Sequence, residues 1–512
     1  MPTHAEIQST QLKVGMEVHV ELATRSRMWT SAPNVAHPDH DASEPNTLLD
    51  PVVIGMPGTL PVANRSAVEM SIRVGLALNC GIADRTKWDR KSYWYPDLPK
   101  NYQISQYDMP LCYDGSLEFP LPPGDDTGGL PDFHTKRVGI IRAHLEEDAG
   151  KLLHEAPGGT PIDHSIVDLN RAGTPLLEIV TQPDLTSADE AVAFASTLRD
   201  ICRHLRVTQG VMQKGHIRFE PNINVLITTT DGHTHATPIV EIKNLNSFRA
   251  VHGAIRHEHQ RQVDAWLDTG VTMATGNKAT RGWDDAKEVT TLQREKEEAH
   301  DYRYFPDPDL VTITIDAAWL ERIKSTQPEL PREKRERYLN ELGIAEPQAD
   351  QLLNEPKTAG LFDAAVHRGA DPRKAAAFLL NTAAQLANDR GVAVGELGVT
   401  GEQVRGILRL QADGQISSNA AGDLLARCCE SDAPAEDLAH KHGLIQVSDT
   451  AALDRYIDEV LADPSSAKAV EDIKAGKDKA VGALMGKVMK LSGGKANPQT
   501  VRQMILDRAK GA

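Results

Sequence analysis

"GMEVHVEL", residues 15–22, decides how the first half of the chain is read. Alternation puts Met16, Val18, Val20 and Leu22 on one face and Glu17, His19 and Glu21 on the other, which is the pattern of a strand buried on one side. Glutamate is depleted in strands. A row of two carboxylates and an imidazole is therefore either a wet face or the floor of a site.

Later segments repeat the pattern. "KRVGIIRAHLEED", residues 136–148, ends in Glu146, Glu147 and Asp148. "VDLNRAGTPLLEIV", residues 167–180, carries Asp168 and Asn170 on one face, then Arg171, then a strand bearing Glu178. "IRFEPNINV", residues 217–225, sets Arg218, Glu220, Asn222 and Asn224 against Phe219, Ile223 and Val225. "VEIKNLNSF", residues 240–248, offers Glu241 and Lys243, followed by Asn244 and Asn246. Asn and Asp are poor strand residues, so their recurrence points to a demand from outside the sheet. Carboxylates and Asn carbonyls suit a hard cation, and Arg, Lys and Asn suit phosphate oxygens. His19 is the odd member, because imidazole suits Zn, Mn or Fe better than Mg²⁺. The competing reading is a solvated face with scattered ion pairs.

Helices punctuate these strands without a strict βαβ alternation. One is expected over Ala67–Asn79. "TSADEAVAFASTLRDICRHL", residues 186–205, opens with a Ser187/Glu190 capping box, and a third helix over residues 247–270 closes on Gly270. The pattern predicts an α+β domain with a largely antiparallel sheet. From Pro328 the texture becomes helix after helix, and Ala- and Leu-rich stripes predict a small bundle. The expected division is 1–327, 328–444 and 445–512.

Composition sets the frame. The chain has 512 residues, 40% hydrophobic and 4% aromatic, with net charge −16. Five cysteines without C-x-x-C spacing predict free thiols in a reducing compartment. No apolar run reaches spanning length and no apolar leader opens the chain, so a cytoplasmic protein without a membrane partner is expected. P-loop, G-x-G-x-x-G and G-x-S-x-G motifs are absent, which removes the usual nucleotide turns and the hydrolase elbow. From Lys474 onward nine cations meet two anions, a local +7 that fits a polyanion partner. The aromatic, Pro-punctuated stretch 89–111 reads as a structured loop or as strands joined by a Pro turn; for it and for 301–310, a core-covering role competes with contact to a partner or substrate.

Taken together, "GMEVHVEL", "PGTLPVAN", "RKSYWYPDLPKNYQISQYD", "HLEEDAGK", "VDLNRAGTPLLEIV", "EIKNLNSF", "DYRYFPDPDL" and "GKVMKLSGGKANPQ" resemble, in order and over nearly the whole chain, the family of aspartyl/glutamyl-tRNA(Asn/Gln) amidotransferase B subunits. The resemblance implies a cradle domain, a helical domain and a YqeY-like tail. It implies a carbon–nitrogen ligase that uses ATP to phosphorylate the side-chain carboxylate of Glu-tRNA(Gln) or Asp-tRNA(Asn). Ammonia from glutamine, released by an amidase A subunit in a complex with a small C subunit, then completes the amide.

Carried onto this chain, the family's metal ligands fall on Glu17, His19, Glu147 and Glu178, with Glu146 beside them. A second metal or phosphate site falls on Glu220 and Glu241. Catalytic roles go to Glu147, Glu178, Lys243 and Arg171, and phosphate or substrate contacts to Asn170, Arg218, Asn222, Asn244 and Asn246. Tyr102, Gln103, Ser105 and Gln106 form the expected ammonia gate. Lys477, Lys487, Lys490 and Lys495 are the expected tRNA contacts. ATP and Mg²⁺ are implied, but zinc is not expected. The segment 29–58, where many members carry a cysteine knob, has no cysteine, and His37 and His40 alone are too few ligands. The family's Asp and Ala in "RFEPNIN" are Glu220 and Pro221 here.

Overall fold

The computed structural model describes residues 7–121, 135–156, 160–274, 276–295, 302–445, 450–492, 496 and 498–511. It divides into two compact units, Met1–Leu330 and Pro331–Ala512.

The first unit is built on a ten-stranded sheet. Its strands are β1 (Ile7–Glu21), β2 (Gly81–Ile82), β3 (Cys112–Pro120), β4 (Thr135–Glu147) and β5 (Pro175–Thr181). They continue with β6 (Ile217–Thr229), β7 (Thr234–Ala236), β8 (Val240–Lys243), β9 (Ala279–Asp284) and β10 (Val289–Glu295). The order is β10-β9-β8-β6-β1-β5-β4-β3-β2, with β7 hanging on β6. The β8–β9 pair is parallel and the other ladders are antiparallel. The expected mixed α+β character and largely antiparallel sheet are therefore present.

Strand β1 explains why the sheet has one dry face. Leu12, Val14, Met16, Val18, Val20 and Leu22 are all buried in one apolar cluster with three helices. Burying each such side chain contributes about 1.5–3 kcal/mol, an upper estimate given a compact unfolded chain. Helix α1 (Arg65–Ala77) begins two residues before the expected Ala67 because the Asn64 side chain caps it, accepting from the N–H groups of Ser66 and Ala67. Helix α2 (Ala188–His204) is capped by Ser187, which accepts from the Glu190 N–H at 3.1 Å. Glu190 reaches Thr186, accepting its N–H at 2.7 Å. Helix α3 (Phe248–Thr269) runs from the Ser247 cap to Gly270, whose φ of +66° favours glycine.

The tyrosine-rich stretches meet in a small second sheet, where Asp89–Ser92 lies between Tyr102–Ser105 and Phe305–Pro306. Of the two forms expected for 89–111, strands are the one present.

The second unit is helical and holds two apolar clusters. One contains Tyr338, Phe362, Leu379, Ile407 and Leu424; the other contains Leu453, Ile457, Leu484, Val488 and Ile505. The basic tail brings its own counter-ions. Lys477 pairs with Asp472 at 3.0 Å, Lys487 with Asp463 at 3.1 Å, and Arg508 with Asp454 at 2.7 Å. Residues 450–512 hold eleven cations and eight anions, so the +7 counted from Lys474 becomes +3 once the acidic helix partners are included. Among the described residues no helix is long and apolar enough to cross a membrane. All five cysteines are free, four of them buried.

Candidate active site

Register assembles the site. Arg218 of β6, His19 of β1, Glu178 of β5 and His144 of β4 lie directly opposite one another across four strands. The next row holds Glu220, Glu17, Val180 and Arg142. Opposed residues on neighbouring antiparallel strands share a face, so the apolar alternation that buries Val18 and Val20 forces the polar row to the other side. Glu146 sits two residues beyond His144 on that face. The rows form the floor of a cavity of about 400 Å³, to which Arg171, Glu241 and Lys243 also contribute.

His19 is the hub. Its Nε2 lies 3.6 Å from Glu178 Oε2, 3.8 Å from Glu17 Oε1 and 4.0 Å from Glu146 Oε1. Its Nδ1 lies 4.0 Å from Glu220 Oε1, and His144 Nε2 lies 3.4 Å from Glu178 Oε2. Most of these separations exceed hydrogen-bond length. Two triads, Glu17–His19–Glu220 and His19–Glu146–Glu178, keep donor atoms within 4.8 Å of one another. Among the described residues, the buried Nδ1 atoms of His19 and His144 have no hydrogen-bond partner. Carboxylate oxygens and an imidazole converging at this spacing fit a divalent cation.

Electrostatics follow from the crowding. Burial works against a charged His19, but the nearby carboxylate of Glu178 and the charges of Glu220 and Glu17 outweigh it and raise the imidazole to about 9. Burial and the neighbouring Glu178 push Glu146 up to about 7. Burial also opposes an ionised Glu178, yet His144 and His19 hold that carboxyl below the usual range. His144 is lowered to about 4 by burial, with the Glu178 charge opposing and Arg142, Lys91 and His19 adding to the depression. Desolvation works against a charged Lys91, which is half-buried, but Glu146, Tyr304 and Glu178 beside it keep its ammonium above the ordinary range.

The cations are held in place. Arg218 donates to Asp148 at 2.8 Å. Arg171 donates to the carbonyls of Ala149 at 2.9 Å and Gly150 at 2.7 Å, with Asp148 at 3.7 Å. Lys243 reaches Glu220 at 2.5 Å and Glu241 at 3.5 Å. Glu21 is buried beside this group, 3.6 Å from Arg218.

The structure places several of the expected site residues away from the cavity and others at it. Glu147 does not join Glu146, because consecutive strand residues point to opposite faces. Its carboxylate accepts from Lys100 Nζ at 2.5 and 2.6 Å and from the Ile104 N–H at 3.0 Å. Asn170 holds a loop rather than the cavity: it accepts from the Leu48 N–H at 3.0 Å and donates to the Glu44 carbonyl at 2.6 Å. Asn222 lies on the polar face opposite Glu241, outside the cavity lining. Asn244 and Asn246 are exposed beyond the end of β8, also outside it. In the gate segment Gln103 and Gln106 line the cavity, Ser105 donates to Glu146 at 3.3 Å, and Tyr102 packs under Arg90. Lys477 and Lys487 are engaged in the ion pairs above, Lys490 is exposed, and Lys495 lies outside the described residues.

The cavity also draws on residues given no role from sequence: Lys91, Tyr93, Tyr107, Arg142, His144, Asp148, Tyr302 and Tyr304. Arg142 and His144 carried a signal, since they alternate with Glu146 in "RAHLEED". The tyrosines lie in stretches whose competing reading is contact with a partner or substrate, but their meeting depends on the pairing of residues about two hundred apart.

Residues 12–321 match the model of the GatB/GatE catalytic domain, and residues 360–508 that of the GatB domain. The chain is 43% identical over 495 residues to the B subunit of the aspartyl/glutamyl-tRNA(Asn/Gln) amidotransferase of Rhodopirellula baltica, covering 96% of each chain. It is 42% identical over 496 residues to that of Moorella thermoacetica, covering 97% of this chain and 98% of the relative. With two domain models matched and such identity sustained from end to end, the chain belongs to the family of aspartyl/glutamyl-tRNA(Asn/Gln) amidotransferase B subunits.

Proposed function

We propose that this chain is the ATP-dependent half of a glutamine-dependent tRNA amidotransferase, acting on Glu-tRNA(Gln) or Asp-tRNA(Asn) in the cytoplasm with an amidase A subunit and a small C subunit. The observation that carries the proposal is the single cavity in which Glu17, His19, Glu146 and Glu178 face Arg171, Arg218 and Lys243. A carboxylate is a poor electrophile, so amidation needs an acyl phosphate, and phosphoryl transfer is governed by positioning and charge stabilisation. Arg171, Arg218 and Lys243 would orient phosphate oxygens. Glu17, His19, Glu146 and Glu178 would hold Mg²⁺, with Glu220 and Glu241 as a second set; when bound, the ion neutralises phosphate charge. Zinc has no cysteine set here.

Ammonia would enter past Gln103 and Gln106, with the Lys100–Glu147 pair as a neighbouring latch. Exposed Trp94 and Tyr95 in that stretch, and Met56, Leu60 and Val62 in the loop against Lys100, offer apolar surface to the amidase. We divide the chain into a cradle (1–327), a helical domain (328–444) and a YqeY-like tail (445–512). The test is reconstitution with candidate A and C subunits and an ATP-dependent assay on both mischarged tRNAs. Glutamine- and ammonia-driven product is expected on at least one, and no product on either would sink the proposal.

The tail is assigned a role in holding tRNA through exposed Lys479 and Lys490. Deleting 474–512 would strip Leu484, Val488 and Ile505 from a core, so charge reversal is the cleaner probe. Lys479→Glu with Lys490→Glu is expected to weaken tRNA binding and to lower the slope of log K against log salt by about 1 per lost phosphate contact. An unchanged slope would remove the tail from the contact.

A further inference from the structure

We infer that the tyrosine wall of the cavity is a stacking site for an adenine base, an inference that rests on the amidotransferase reading above. Tyr93, Tyr107, Tyr302 and Tyr304 all line the cavity whose floor is the carboxylate and guanidinium cluster. They are the only phenyl-type rings among its described lining residues, which are otherwise mostly charged or amide-bearing. Tyr107 and Tyr304 are stacked, with centroids 4.3 Å apart and planes 17° apart. Tyr302 meets Tyr304 edge-on at 6.4 Å and Tyr93 edge-on at 6.1 Å. Lys91 Nζ lies 5.1 Å from the Tyr302 ring centre and 5.9 Å from that of Tyr93, so cation–π attraction helps hold these two rings.

Packing does not account for the outer ring. Tyr107 stacks on Tyr304 and lines the cavity, yet keeps 46% of its surface exposed. Truncating it would remove little from the core. An aromatic face beside a polar, phosphate-suited floor is how single-stranded nucleic acids are held, with each base contributing about 1–3 kcal/mol by stacking.

The proposed chemistry brings two adenines to this cavity: that of ATP and that of the terminal adenosine carrying the amino acid. Each is tethered to the reacting centre, one by the triphosphate and one by the aminoacyl ester, so either would sit at the wall rather than at the floor. The shared ligand is a purine ring.

The test uses the complete amidotransferase carrying Tyr107→Ala or Tyr304→Ala, with the Phe substitutions as rescue. KM for ATP and KM for aminoacyl-tRNA are measured separately from kcat. The alanine variants are expected to raise one KM about tenfold to a hundredfold while leaving the other, and the Phe variants are expected to restore it. A shift in KM for ATP assigns the wall to the nucleotide, and a shift in KM for tRNA assigns it to the terminal adenosine. Should an alanine variant fail to fold, Tyr107→Leu, which keeps apolar bulk without a stacking face, is expected to raise the same KM, and unchanged KM values in it overturn the inference. The inference is overturned if both KM values stay unchanged in the alanine variants, or if Phe fails to restore the shifted one. A wild-type complex without ATP-dependent amidation would overturn the amidotransferase reading itself, and this inference with it.

Discussion

Glu178→Gln is expected to lower kcat for ATP-dependent amidation by about 10²–10³-fold while leaving assembly and tRNA binding close to wild type. The substitution is isosteric and removes only charge. Glu178 is the residue that both imidazoles share: His19 lies 3.6 Å from it and His144 3.4 Å, opposite it on the flanking strands. Without its charge, His19 loses one of the carboxylates that keep it protonated in the cation-free cluster, and one triad loses a ligand. The assay should be run with ammonia as well as glutamine, because ammonia bypasses the amidase. A loss seen only with glutamine would place Glu178 in the ammonia path. Full activity with both would remove it from the centre. Titration of Mn²⁺ into the purified variant gives a readout apart from turnover, and weaker binding by about 10–100-fold is expected.

The second large effect separates two adjacent carboxylates. Glu147→Gln is expected to destabilise the first unit by roughly 3 kcal/mol or more, because it leaves the Lys100 ammonium without its nearly buried partner. Glu146→Gln is expected to cost far less stability and far more activity, since Glu146 stands in the carboxylate–imidazole cluster. Denaturation curves and turnover measured on both variants decide the matter. If Glu147→Gln were as stable as wild type and as inactive as Glu146→Gln, the assignment of the two faces of β4 would be wrong. Lys100→Met with Glu147→Gln, which removes both charges, should recover part of the lost stability.

These two residues also show where sequence reading stops. "HLEED" offers three carboxylates in a row, and family resemblance singles out Glu147 with Glu146 beside it. Strand periodicity allows only one of the pair to reach the cavity, and the choice depends on which face of β4 meets the strand Tyr102–Ser105, whose Ile104 N–H donates to Glu147. Alternation leaves Glu21 open as either a wet end or part of a site, and only the fold shows Arg218 and the loop at Gly215 closing over it. Asn170 shows a third case, a polar residue whose partners, Glu44 and Leu48, lie more than 120 positions away.

The sequence by itself determined the two-faced strand at 15–22, the antiparallel α+β character, the helical second half and the family, because period-2 and period-3.6 patterns are local and the matching motifs are contiguous. Only the tertiary structure decided which carboxylates share a cavity, which acidic residues the tail's cations pair with, and that tyrosines from residues 93–107 and 302–304 line one cavity. Those facts depend on strand register and on contacts across hundreds of residues, and neither is written in the spacing of neighbours along the chain.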